Sequence, residues 1–157
     1  MNLALSWQDN APADTLLSAT VAQTFFGAFP APKLALHRGP GQVSATAVAS
    51  DLGQPVAPGK ACVLVAFQMG EGHAAPALQQ YVQDRQGALN KHGGRVYLSA
   101  ITARSAHWDF DGFELIEFPR PDTVQALMAD EQYRNDTKDS ALAFSGAFAM
   151  GILAPAA

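Results

Sequence analysis

Gly112-Phe113-Glu114-Leu115-Ile116-Glu117-Phe118-Pro119-Arg120-Pro121-Asp122-Thr123-Val124-Gln125-Ala126-Leu127-Met128 reads as a strand, a turn and a helix in one pass. Phe113 to Phe118 is aromatic and aliphatic enough for a strand, and Pro119 and Pro121 end it because proline cannot donate to a sheet's ladder. Asp122 with Gln125 three residues on resembles a capping box. Val124, Leu127, Met128 and Glu131 then fall at i, i+3, i+4 and i+7 of a helix. Glu114 and Glu117 stand three apart on the strand, so their side chains point to opposite faces.

Upstream, Ala61 to Gln68 is a continuous apolar run between Pro58-Gly59 and Gly70-Glu71-Gly72, the pattern of a strand buried on both faces. Leu78, Val82, Arg85 and Leu89 follow at i, i+4, i+7 and i+11, with Tyr81 beside them. That stripe predicts a helix, stopped by Gly93-Gly94 after His92. Arg95 to Ile101 alternates as a strand, with Val96, Leu98 and Ala100 on one face and Arg95, Tyr97 and Ser99 on the other. A further helical turn or two is expected from Tyr133 to Leu142, and a final strand from Ala143 to Leu153.

The resulting order, β-α-β-β-α-β, is that of a ferredoxin-like α+β sandwich, an antiparallel sheet with both helices on one face. The strand from Cys62 to Phe67 is apolar at both parities, so the helix-free face also needs a cover. Dimerisation into an α+β barrel supplies it, and a homodimer is the expected assembly. Residues 1–60 read as a weaker β-α-β-β series: strands at Leu3 to Trp7, Leu34 to His37 and Val43 to Ala49, and a helix from Pro12 to Phe29. This segment is either a degenerate half-repeat of the same unit, giving the chain part of its own pseudo-dimer, or an extra layer. The Pro55 to Gly59 stretch marks the boundary between residues 1–60 and a domain over residues 61–157.

A chain of 157 residues with 48% hydrophobic and 15% charged content supports a proper core and is too apolar for disorder. A net charge of −4 offers no basic stripe for phosphates, which argues against a nucleic-acid partner. The single cysteine, Cys62, sits in an apolar run as a small buried hydrophobe. The N-terminus has no basic n-region, and no apolar stretch reaches the roughly 18 residues of a membrane span. A cytoplasmic address, with no membrane partner, is the expectation.

The stretch Gly112 to Pro119, the helix Thr123 to Met128, the Asp130-Glu131-Gln132-Tyr133 segment and the turn Lys91-His92-Gly93-Gly94-Arg95 together resemble the family called domain of unknown function 1330. The resemblance covers roughly residues 61–153. It includes Trp108 ahead of the third strand and the Glu117-Phe118-Pro119 strand ending. It implies a dimeric α+β barrel, in a superfamily that also holds cofactor-independent monooxygenases, ring-modifying isomerases and haem-handling enzymes. No activity belongs to the family as a whole. The chain departs from the family pattern at Leu127-Met128, where an aromatic pair is usual, at Ser140, where an arginine is expected, and at Glu114, usually an apolar position. Its first 60 residues lie outside the usual family unit.

The candidate site residues follow from side-chain chemistry. Glu114, if desolvated, could serve as a general base, with Arg95 and Arg104 as candidate partners. Its alternative is a structural ion pair, with Glu117 at the strand's end in solvent. Arg95, Tyr97 and Ser99 offer a cation, a phenol and a hydroxyl in one row, suited to a small carboxylate or phenol, or else to a dimer interface. His73, on a glycine-flanked loop after the first of these strands, could reach a cavity mouth as base or haem ligand. Trp108 could line a pocket or pin its loop to the core. The four histidines show no metal-ligand spacing, Gly70-Glu71-Gly72 lacks the third glycine of a dinucleotide fingerprint, and no nucleophile elbow is present. The catalytic candidates are therefore Glu114 and His73. The ligand-binding candidates are Arg95, Tyr97, Ser99, Trp108 and Glu117, and no metal or cofactor is expected. The expected function is binding of a small apolar or aromatic acid in the cleft between sheet and helices. A cofactor-independent enzyme of monooxygenase or isomerase type could work there; the alternative is a non-catalytic binding or oligomerisation module.

Overall fold

The computed structural model describes residues 2–8, 12–57, 59–70 and 74–155. Apolar β-branched runs give strands β5 (Ala61–Met69), β6 (Arg95–Thr102) and β7 (Gly112–Phe118), and the stripe through Leu78 and Leu89 gives helix α1 (Ala74–Lys91). Short helices α2 (Asp122–Ala129) and α3 (Glu131–Asp136) and a 3-10 turn (Ser140–Ala143) lead into β8 (Phe144–Pro155). The first half supplies β1 (Leu3–Ser6), β2 (Thr15–Phe26), β3 (Lys33–Arg38) and β4 (Val43–Ser50).

These strands form one closed antiparallel barrel in the order β1-β3-β2-β8-β5-β7-β6-β4, with β4 returning to β1. This corrects the expected ferredoxin-like α+β sandwich and its completion by a second subunit. The inner face of β5 is covered as its two-sided hydrophobicity requires, and the cover is the chain's own first half. One core cluster draws Leu3, Leu5, Leu34 and Leu36 together with Cys62, Leu64, Phe113 and Leu153. Barrel closure leaves no free sheet edge.

The second correction concerns residues 12–29, where a strand of twelve residues replaces the expected helix. Thr15, Thr20, Val21, Thr24, Phe25 and Phe26 favour extended backbone. β2 pairs on one side with β3 (Ala19 opposite Leu34) and on the other with β8 (Val21 opposite Leu153). Leu17 and Ala19 are its buried positions, a period of two. Those long-range ladders outweigh the helix-like spacing of its apolar residues.

The two halves share a strand order. Residues 3–50 run β4-β1-β3-β2 and residues 61–155 run β8-β5-β7-β6, joined through β2 with β8 and β6 with β4. Among the described residues, helices occur only in the second half. There Ala88, Leu89, Val124 and Leu127 pack on Val63, Ile116 and Phe118, on the outer face of the barrel.

Candidate functional site

A cleft of about 320 Å³ lies between the helices and the outer face of β5, β7 and β8. The strand period places Val63, Val65 and Phe67 of β5 and Glu114, Ile116 and Phe118 of β7 on this side. Tyr81 and Arg85, one helical turn apart on α1, face them, with Leu127 of α2 and Tyr133 of α3 closing the wall. Phe144, Phe148 and Met150 of β8 complete it.

Glu114 is buried, and its partner is Arg85 rather than Arg95 or Arg104. Arg85 Nη1 donates to Glu114 Oε1 at 2.7 Å and Nη2 to Oε2 at 2.6 Å, a two-pronged pair. Ser99 Oγ donates to Oε2 at 2.6 Å. Glu114 and Arg85 are each 3% exposed, so each is the other's only escape from an unpaired buried charge. Burial alone would pull the Arg85 guanidinium downward, but the Glu114 charge and hydrogen bonds overcome it and hold the pKa above its ordinary value. Arg85 Nε has no hydrogen-bond partner among the described residues. The Arg85 guanidinium lies 5.1 Å from the Tyr81 ring centroid, a cation-π contact. The Tyr81 hydroxyl is hydrogen-bonded to the Tyr133 hydroxyl. Burial pushes the Tyr81 phenol well above its ordinary pKa, and the neighbouring Tyr133 adds to that.

Glu117 faces the other way, as its spacing from Glu114 requires, and it is buried rather than in solvent. It accepts from Arg95 Nε at 3.2 Å and from the Ala57 backbone N–H at 2.7 Å, with Lys60 Nζ 3.7 Å away. Burial would raise its pKa, but the Arg95 bonds and the Ala57 amide bring it below the usual carboxylate range. Arg95 also binds Asp51 Oδ2 at 3.0 Å. This cluster ties the connection between the two halves to the barrel's end.

The expected row of Arg95, Tyr97 and Ser99 is divided. A bulge in β6 against β7, between Val96 and Leu98, shifts the parity within the strand. Arg95 joins Glu117, Tyr97 is buried in the barrel core, and Ser99 turns to Glu114 in the cleft wall. Trp108 is 1% exposed and inserts into the core, donating from Nε1 to Thr102 Oγ1 at 2.8 Å and packing against Trp7 and Phe113. It pins its loop and is absent from the cleft wall. His73 lies outside the described residues.

Of the seven candidates, Glu114 lines the cleft, and Ser99, fully buried, supports it by a hydrogen bond. The sequence reading missed Arg85, Tyr81 and Tyr133 as site residues. The available signal was a matched pair of exceptions, an arginine in an apolar helical stripe and a glutamate in an apolar strand. Among the described residues, no group of three or more histidine, cysteine or acidic side chains could hold a metal ion. None of the described helices is long and apolar enough to cross a membrane.

No family model matches the chain, and no curated protein matches it. Among solved structures, 92% of the chain aligns with 79% of a "putative monooxygenase from Lactobacillus acidophilus NCFM", at 7% identity and a TM-score of 0.49, too remote to bear on fold or function. The chain is also similar, over the full length of both, to a major regulator of staphylococcal pathogenesis, at 10% identity and a TM-score of 0.62. At that identity the likeness shows a common fold and nothing further.

Proposed function

We propose that this protein binds a small apolar or aromatic molecule in the cleft between its helices and the outer face of the barrel. One observation carries the reading: an apolar cleft of about 320 Å³ has a buried arginine-glutamate pair and a tyrosine pair in its wall. Protein interiors are close-packed, and a space of this size with a few convergent polar groups is the usual form of a ligand site. The acidic ligand expected from the row of Arg95, Tyr97 and Ser99 loses its support, because that row is split across two faces. Binding is favoured over catalysis by Glu114, because both of its carboxylate oxygens already accept hydrogen bonds from Arg85 and Ser99. A base so held would have to break one of these bonds to take a substrate proton.

Titration with N-phenyl-1-naphthylamine, a neutral probe that brightens in apolar surroundings, tests the reading. Saturable binding is expected for the unmodified chain, and its loss in Val65→Trp, which fills the cleft from the half-buried face of β5. Absence of saturable binding, or equal binding by a folded Val65→Trp variant, would sink it.

A further inference from the structure

The polar groups of the cleft differ in what they have already committed. Glu114 takes both Nη atoms of Arg85 and the Ser99 hydroxyl, so the buried cation and anion neutralise each other. At the rim, Gln68 uses its amide on Asp109 and on the Ala147 backbone N–H. Donors are left over. Arg85 gives one N–H of each Nη to Glu114, and its Nε has no partner among the described residues. The Tyr81–Tyr133 pair keeps one O–H, because a bond between two hydroxyls consumes only one of their two protons. A phenol already keeps its proton at neutral pH, and burial of Tyr81 favours that form further. The walls around these donors are apolar, among them Val65, Ile116, Leu127 and Met150.

We infer, on the reading that this cleft holds a small molecule, that its ligand is neutral and carries a carbonyl-type acceptor, and that the cleft rejects a carboxylate of the same shape. An anion entering here leaves water without meeting an uncompensated positive charge, and it comes to rest near the Glu114 carboxylate. A carbonyl oxygen is cheaper to dehydrate and satisfies the unpaired donors. A plain hydrocarbon fills the space but leaves them unpaired, which carries its own cost. The affinity order is therefore ketone, then hydrocarbon, then carboxylate.

Isothermal titration of the full chain near neutral pH with three probes of one shape, 2-acetylnaphthalene, 2-isopropylnaphthalene and 2-naphthoate, tests this order. The ketone is expected to bind about tenfold or more tighter than the carboxylate and several-fold tighter than the hydrocarbon. Removing both hydroxyls, Tyr81→Phe with Tyr133→Phe, takes away the free O–H and should narrow the gap between ketone and hydrocarbon, whereas Tyr133→Phe alone leaves the Tyr81 O–H free and should keep most of it. Glu114→Gln leaves the Arg85 charge uncompensated and should strengthen naphthoate binding about tenfold with little change for the ketone. If Glu114→Gln does not fold, the comparison with the paired tyrosine variant still decides. Naphthoate binding as tightly as the ketone to the unmodified chain, or equal affinity for all three probes, would overturn the inference and leave the binding reading standing. If no probe binds, the binding reading falls and the inference with it.

Discussion

The two halves of the barrel share a strand order and bury their outer faces by different means. In residues 61–155 the outer face of the sheet is wide and apolar, and helices cover it at a distance that leaves a cleft. In residues 3–50, Leu3, Leu5, Leu34 and Leu36 point inward, so Ala4, Ser6, Ala35 and His37 stand on the outer face, and all four are buried. There the turn through Gly41 lies directly on the strands, and Ser6 Oγ meets His37 Nε2 at 2.8 Å. His37 Nδ1 lies 2.9 Å from the Arg38 backbone oxygen, which can only accept, so Nδ1 donates to it. Small side chains under a tight turn leave no room for a ligand, whereas large ones under helices do. One strand order thus gives a sealed wall on one side and a site on the other.

The largest expected effect falls on the helical half. Glu114→Ala strands a buried Arg85 charge and should cost about 3–5 kcal/mol of unfolding free energy, read from urea denaturation. The paired change Glu114→Leu with Arg85→Met removes both charges and should recover most of that loss. Recovery by the pair would show that the single variant's cost is the stranded charge, not the lost volume.

Gly41→Ala tests the sealed half. A Cβ there would come within 2.7 Å of both Ala4 Cβ and Ser6 Oγ, so the turn must lift from the strands, at a cost of about 1–3 kcal/mol. Unchanged stability would mean that the turn is not the cover that the small side chains require.

Between the halves, Glu117 sets a pH dependence. Its pKa is held below the ordinary carboxylate value in the folded chain, so its contribution is fully present above the unfolded value of about 4.3 and is lost as pH falls through the folded one. Unfolding midpoints measured from neutral pH down to about pH 3 should therefore decline on the acid side, and Glu117→Gln should flatten that decline. An unchanged acid limb in the variant would place the acid sensitivity elsewhere, for example at Asp130, which Lys91 and His92 hold well below the usual carboxylate range.

The helical half was the more legible in the sequence, although the strands read at Leu3 to Trp7, Leu34 to His37 and Val43 to Ala49 are also found, as β1, β3 and β4. β5 stands out because it is apolar at eight of its nine positions, β7 because its aromatic and aliphatic run ends at a proline, and α1 because its stripe ends at Gly93, whose φ of 72° favours glycine. The expected capping box was a misreading. α2 follows Pro121 without a side-chain cap, and Asp122 instead meets Arg120 Nε at 3.2 Å. The acid that does cap is Asp130, which accepts from the Gln132 backbone N–H at 2.9 Å at the start of α3 and also meets His92 Nε2 at 2.7 Å. The strand β2 was hidden because its reason for being extended lies in β3 and β8, the latter more than a hundred residues away. The bulge in β6 was hidden likewise, since one extra residue shows only against its partner strand. Glu114 and Glu117 were correctly assigned to opposite faces by spacing alone. Their partners came from a helix face and a linker that spacing along one strand does not reach.

The smallest expected effect is none at all, and it bears on the closure of the barrel. In a barrel completed by two chains, folding and association are linked, and the thermal midpoint rises with protein concentration. Here β2 meets β8 and β4 meets β6 within one chain, so the ladders that close the barrel form at any dilution. The midpoint should stay constant over a hundredfold dilution, from about 100 μM to about 1 μM. A midpoint that falls steadily on dilution would mean that a second copy contributes to the fold. The exposed Phe26 and Phe148, whose rings lie 5.1 Å apart across the β2–β8 junction, would then be the first surface to examine.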